Sequence, residues 1–175
     1  MERCILMKPD ASFLDEIAAF RREMIDAGSS LDGTGPLCRM DDIREWLEYC
    51  RLCGNEVTIP PERVPADQYI YVRALDCKIV GMIQFRRRFN DFLEKYGGHI
   101  GYSVRPDERR RGYAKRMLAE CLKECKEYGL DRVLVTCMTD NEGSRKTILA
   151  NGGIYESTVF CEPDGVYLER YWIAL

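Results

Sequence analysis

Apolar positions along the chain switch between periods near two and near three and a half, and the switches mark alternating strands and helices. Residues 3–7 read as a short strand stopped by Pro9. Phe13, Leu14, Ile17, Ala18, Met24 and Ile25 then recur near helical spacing, with Ser12 and Asp15 as a start signal and Gly28 as a stop. A loop punctuated by Gly and Pro runs on to about Met40. Asp41 or Asp42 can cap a second helix that reaches Cys53 and ends at Gly54. The runs 69–75 and 79–85, joined by Asp76, Cys77 and Lys78, predict a β-hairpin, and His99 to Val104 predicts a further strand. From Gly112 to Tyr128 the apolar positions 114, 117, 118, 121, 122, 125 and 128 share one helical face, which Gly129 terminates. Residues 132–138 form the β-branched, apolar run of a buried central strand. A short helix over about 142–151 precedes Gly152 and Gly153, and strands at 154–161 and 166–174 turn at Pro163, Asp164 and Gly165. The order β-α-α-β-β-β-α-β-α-β-β predicts one α/β domain over residues 1–175, built on a mixed sheet.

Composition narrows the class. With 175 residues, 46% of them hydrophobic, the chain can bury a core without a disulfide or metal staple. Its net charge of −3 argues against a nucleic-acid module. No run approaches the ~18 apolar residues of a membrane span, and the apolar stretch near the N-terminus is too short for a signal peptide. The cytoplasm is therefore the expected compartment, with the nine cysteines as thiols. Cys50 and Cys53 form a C-x-x-C, and Cys121 and Cys125 lie four apart. A zinc site would want four such ligands, yet His99 is the sole histidine and no second C-x-x-C exists, so no metal is expected. Cys50 and Cys53 extend the stripe of Ile43, Trp46 and Leu47, which reads as core, with redox or metal use as the alternative.

The stretch from Val104 to Ala114 leaves a strand, turns, and opens an amphipathic helix. A helix N-terminus carries unpaired N–H groups and the positive end of a dipole, which together attract an anion. Gly112 lets backbone approach a phosphate, and Arg109, Arg110 and Arg111 add charge beside it. The stretch is neither a Walker loop nor a Rossmann fingerprint. Taken alone, such a turn could equally be a solvated connection.

The same residues resemble the signature V-x-x-x-x-R/Q-x-x-G-x-G/A of the GNAT N-acetyltransferases, with Val104, Arg109, Gly112 and Ala114 at the defined positions. Asn141 at the end of the next strand, Ser144 three residues on and a helix closing at Gly152 resemble a second family element. The segments 97–106, 151–153 and 170–173 are similar to a bacterial subgroup known only as predicted acetyltransferases, which supplies no substrate. The resemblance covers essentially the whole chain. It implies the GNAT fold, a mostly antiparallel mixed sheet flanked by helices, and acetyl-CoA as cosubstrate. It implies pyrophosphate binding by the loop of Arg109, Arg110, Arg111, Gly112, Tyr113 and Ala114, and pantetheine contacts at Val104, Asn141 and Ser144. The implied reaction is direct attack of an amine on the thioester, with the Val104 backbone N–H as oxyanion donor. The acceptor would be a small-molecule or peptide amine, and a homodimer is left open.

Two positions depart from the family pattern. Ile148 stands where many members carry a general-acid tyrosine, and Thr136 where several carry a glutamate base. Tyr102, Tyr155, His99 or a water chain are the substitutes for acid and base. His99 reads either as base or as structural, and Cys137 as packing or nucleophile. The departures also motivate a rival reading, a non-catalytic acyl-CoA-binding sensor. Arg86, Arg87 and Arg88 read as a solvated strand end or an acidic-substrate contact, with RNA as a distant alternative. The loop from Gly28 to Met40 is expected to choose the acceptor.

Overall fold

The computed structural model describes residues 2–175. Its strands are β1 (Cys4–Met7), β2 (Ala66–Arg73), β3 (Ile79–Arg86), β4 (Ile100–Val104), β5 (Arg132–Met138), β6 (Ile154–Cys161) and β7 (Val166–Ala174). Its helices are α1 (Leu14–Asp26), α2 (Ile43–Cys53), α3 (Tyr113–Tyr128) and α4 (Glu142–Leu149). The strands form one seven-stranded sheet in the order β1-β2-β3-β4-β5-β7-β6. Every neighbouring pair is antiparallel except β4 and β5.

Two apolar clusters lie on opposite faces. Met117, Leu118, Cys121 and Cys125 of α3, with Ile148 of α4, cover Val80, Ile83, Ile100, Val133 and Val135. Ile17, Phe20 and Met24 of α1, with Ile43 and Trp46 of α2, cover Ile70, Val72 and Met82. All eight residues of β2 and seven of the eight in β3 are buried, because helices cover both faces of these strands. At the far edge, β6 is mostly exposed and alternates weakly.

Several boundaries differ from the sequence reading. Asp10, rather than Ser12 or Asp15, starts the first helical segment. Its carboxylate accepts the Ser12 N–H at 2.8 Å and caps a 3-10 turn that runs into α1. Asp42 caps α2 by accepting the N–H of Arg44. β2 begins at Ala66 and ends at Arg73, and Leu75 is 83% exposed in the turn. In α3, Tyr113 is buried while Tyr128 is half exposed. A π-turn over Leu93–Gly97, which no periodicity announces, links β3 to β4.

The feature that positions the site is the junction of β4 and β5. β4 pairs with β3 over five positions but with β5 at Ile100↔Val135 alone. β7 holds β5 on its other side over seven positions. The two parallel strands are thus clamped from outside while they diverge toward their C-terminal ends.

Candidate active site

The fork leaves backbone groups of β4 free. Arg105 donates its N–H to Val80 O on the β3 side at 3.0 Å. Because strand groups alternate, the N–H and C=O of Tyr102 and Val104 point the other way, toward the gap. There they form a short open edge inside the sheet, able to pair with an extended amide-bearing ligand. Val104 O already accepts Arg109 Nε at 3.1 Å.

Next to this edge is the N-terminus of α3. Arg110 has φ 61° and Gly112 φ 78°, and left-handed residues of this kind can set successive amides side by side as a concave seat suited to an anion. No side chain caps α3, whereas Asp42 caps α2 and Asn141 caps α4. Its first N–H groups are therefore left for something outside the chain. A Cβ added at Gly112 would meet no atom within 4 Å, so the glycine is required by the backbone angle and not by packing.

The three arginines do different work. Arg109 fastens Val104 O and, through Nη2 at 2.9 Å, Ser29 Oγ of the loop after α1. Arg111 pairs with Glu108 at 3.1 Å. The exposed Arg110 guanidinium makes no ion pair among the described residues. Tyr113 directs its ring inward, with its hydroxyl bonded to Glu2 and Arg73, so only its backbone faces the seat. Ala114 is partly buried beside it.

On the α4 side, Asn141 Oδ1 accepts the N–H of Ser144 at 3.0 Å. The cap occupies the oxygen and leaves the amide Nδ2 as a donor. Ser144 Oγ meets the hydroxyl of Tyr102 at 2.8 Å, which ties β4 to α4 across the fork. Burial pushes the Tyr102 phenol well above its ordinary range, so it stays protonated.

Other candidates lie elsewhere. Tyr155 aligns with Tyr171, Val135 and Ile100, at the closed end of the fork and three strands from β4. Its hydroxyl bonds Thr158 Oγ1, and the residue is 53% exposed. His99 is buried, its Nδ1 accepts the Leu134 N–H at 2.9 Å, and burial lowers its pKa to about 4. Thr136 Oγ1 donates to Tyr96 O, and Ile148 is fully buried in the larger cluster. Burial, with Glu169 beside it, raises the Cys137 thiol to about 11 and keeps it un-ionised. Cys53 is buried, and Cys50 packs against the α1–α2 cluster, where burial raises both thiols.

The arginine run is not a solvated strand end. Arg87 forms a two-bonded pair with buried Asp67, which also accepts Lys8, and Arg88 pairs with Glu56. Arg86 folds back onto the turn before β4.

Two supporting residues gave no signal in the sequence. Glu108, 3% exposed, receives Arg73, Lys78 and Arg111 at 3.0–3.2 Å and anchors the anion seat to the β2–β3 hairpin. Arg105, 2% exposed, pairs with Glu16 and Glu23 of α1. Their partners are 30 or more residues away except Arg111, beyond any local spacing rule.

Comparison with known proteins bears on this geometry. The microcin C7 self-immunity acetyltransferase MccE, solved with acetyl-CoA and AMP, superposes at TM-score 0.73 with 16% identity, over 100% of this chain and 94% of that one. The ribosomal-protein-S5-alanine acetyltransferase of Vibrio fischeri gives 0.68 and 16%, over 99% and 94%. A GNAT-family acetyltransferase of Bacillus anthracis gives 0.67 and 21%, over 99% and 95%. At such identities the likeness shows the fold. A comparison with curated protein sequences gave no match. The family model described as acetyltransferase (GNAT) family matches residues 36–152, more than half of the chain, from the loop before α2 through the fork and the anion seat to the end of α4. The chain belongs to the GNAT acetyltransferase family.

Proposed function

We propose that this chain, as one domain over residues 1–175, is a cytoplasmic N-acetyltransferase that uses acetyl-CoA and no metal. The observation that carries the reading is the coincidence of the open β4 edge with the uncapped, left-handed turn at the start of α3. Backbone amides from Arg110 to Ala114 would hold the pyrophosphate, and Val104, Asn141 Nδ2 and Ser144 the pantetheine arm. When bound, the cosubstrate supplies an electrophilic thioester carbonyl. The Val104 N–H is the donor for charge developing on the carbonyl oxygen, and one such preorganised donor contributes ~2.7–4 kcal/mol.

Tyr102 is the phenol nearest the fork. Its raised pKa lies above the ~8.5 of a thiol, so full proton transfer to a departing thiolate would be uphill. A hydrogen bond from its hydroxyl, oriented by Ser144, is the role that fits. With His99 Nδ1 engaged and its pKa low, deprotonation of the amine falls to water or to solution pH. The acceptor is a small-molecule or peptide amine.

The buried Ile148 and the engaged Thr136 support one second reading, an acyl-CoA sensor without turnover. A free-thiol assay with acetyl-CoA across monoamines, polyamines, aminoglycosides and peptides separates the two. Thiol release with any amine, reduced about 10–100-fold in kcat by Tyr102→Phe, supports the transferase. Acetyl-CoA binding without release throughout supports the sensor, and absence of binding overturns both.

A further inference from the structure

The face of the sheet under α1 and α2 carries a charge that the fold does not balance. Arg86, at the end of β3, is partly buried. Its Nη1 donates to Gly97 O at 2.9 Å and Gly98 O at 3.3 Å, and its Nε to Gln84 Oε1 at 3.3 Å. Those bonds fasten the turn before β4 and engage two of the three guanidinium nitrogens. Nη2 donates to no atom among the described residues. Arg87 and Arg88 each hold a carboxylate, whereas Arg86 holds none within ion-pair distance among the described residues. Burial opposes its charge, and the carboxylate whose field partly offsets this is that of exposed Asp32, in the loop after α1. Arginine stays protonated at any pH a protein meets, so the open Nη2 donors of this partly buried guanidinium are available to an anion that displaces water there.

The loop after α1 packs beside this guanidinium. A Cβ on Gly101 would stand 3.0 Å from Arg86 Nη2 and 3.0 Å from Gly33 N, so the glycine lets loop and guanidinium pack closely over β4. Gln68 Nε2 donates to Gly33 O at 2.8 Å and to Ile83 O, fixing the loop to the sheet. Gly101 lies three residues before Val104 on β4, or about 10 Å along a strand. The neutral amides of Gln68 and Gln84 and the nearby Asp32 suit a monoanion better than a phosphate dianion.

We propose that Arg86 Nη2 receives a carboxylate of the acceptor, which makes the acceptor an amine whose carboxylate lies several bonds from the reacting nitrogen. The proposal rests on the transferase reading above and deepens it. Arg86 is then a specificity residue that reaches Gly101 from β3, and a planar fork is required there, since a lysine could not bind the turn carbonyls and the ligand together.

The test uses matched probes that differ in the carboxylate: glycylglycine against glycylglycinamide, and 6-aminohexanoate against hexylamine. Thiol release from acetyl-CoA is measured with the wild type, Arg86→Gln and Arg86→Lys, and the acetyl-CoA-induced Tm shift is recorded for each. The expected result is a wild-type preference in kcat/KM of about 10- to 100-fold for the carboxylate member of a pair, carried mostly by KM. Arg86→Gln should abolish the preference and Arg86→Lys keep only part of it, both with an intact Tm shift. Equal use of both members, preference for the uncharged one, release with none of the four, or discrimination that survives in Arg86→Gln would overturn the proposal. The wild-type comparison decides the matter even if a variant fails to fold. Turnover without carboxylate preference leaves the transferase reading standing, and loss of the Tm shift in the wild type removes that reading and this one together.

Discussion

His99 Nδ1 accepts the Leu134 N–H, so the ring must remain neutral for that contact to persist. Its folded pKa of about 4 lies below the ordinary ~6.5, and the unfolded chain therefore binds the extra proton between those values. The stabilisation is present above about pH 6.5 and is lost as pH falls toward 4, by roughly 3 kcal/mol in all. Urea unfolding across pH 4–7 should show this slope in the wild type and a clearly shallower one in His99→Asn. An equal slope in both would mean that the histidine does not titrate as described. Gly112 acts through its backbone: an L-residue at φ 78° is strained by about 1–2 kcal/mol, and its side chain would enter open space. Gly112→Ala should lower the Tm by only a few degrees. Gly112→Glu should add a more than tenfold loss of acetyl-CoA affinity, measured by calorimetry, because it brings negative charge to the seat. Unchanged affinity would place the phosphates elsewhere.

Among the helices, capping separates structural ends from the end left open. Asp42 and Asn141 close α2 and α4 with side-chain oxygens, and α3 begins at a glycine that has none to offer. Asn141 carries two tasks on two atoms, and substitution can divide them. Asn141→Ser retains a capping oxygen and should leave stability within about 0.5 kcal/mol while weakening acetyl-CoA about tenfold. Asn141→Ala should lose the affinity and a further ~1 kcal/mol of stability. Equal affinity in wild type and Asn141→Ser would exclude the amide from cosubstrate binding. The seat itself depends on buried Glu108, since three cations converge on one carboxylate. Removing one member of such a buried network costs about 3–5 kcal/mol, so Glu108→Gln should depress the Tm by several degrees or more.

Taken as a whole, the molecule brings residues separated by most of its length to one end of one sheet. The hydroxyl of Ser29 reaches Arg109, and Tyr102 reaches Ser144. A ligand that bridges β4, α3 and α4 should stabilise the entire fold. Acetyl-CoA at 100 times its dissociation constant contributes ~2.7 kcal/mol, or about 5–10 °C in Tm for a chain of this size. Absence of a shift at millimolar acetyl-CoA would contradict the assignment of the fork.

Local physics made much of this legible in the sequence. The order of elements, the strand–turn–helix around Gly112 and the asparagine before α4 rest on periodicity, caps and glycine punctuation, which act within a few residues. These decided that a glycine and several arginines would stand at the start of a helix. They could not decide that Arg109 would bind Val104 and Ser29, that Arg111 would join a buried acid, or that Arg110 would be left without an ion pair among the described residues. Nor could they separate Tyr102 from Tyr155, since both lie on strands and only sheet order puts one at the fork and the other three strands away. The same holds for the arginine run, where Arg87 and Arg88 find carboxylates 20 and 32 residues distant and Arg86 finds none among the described residues. The sequence determined which groups the chain carries and which secondary element holds each. Only the tertiary structure decided their partners, because burial and pairing depend on strand order and on which helix covers which face, and neither is a local property.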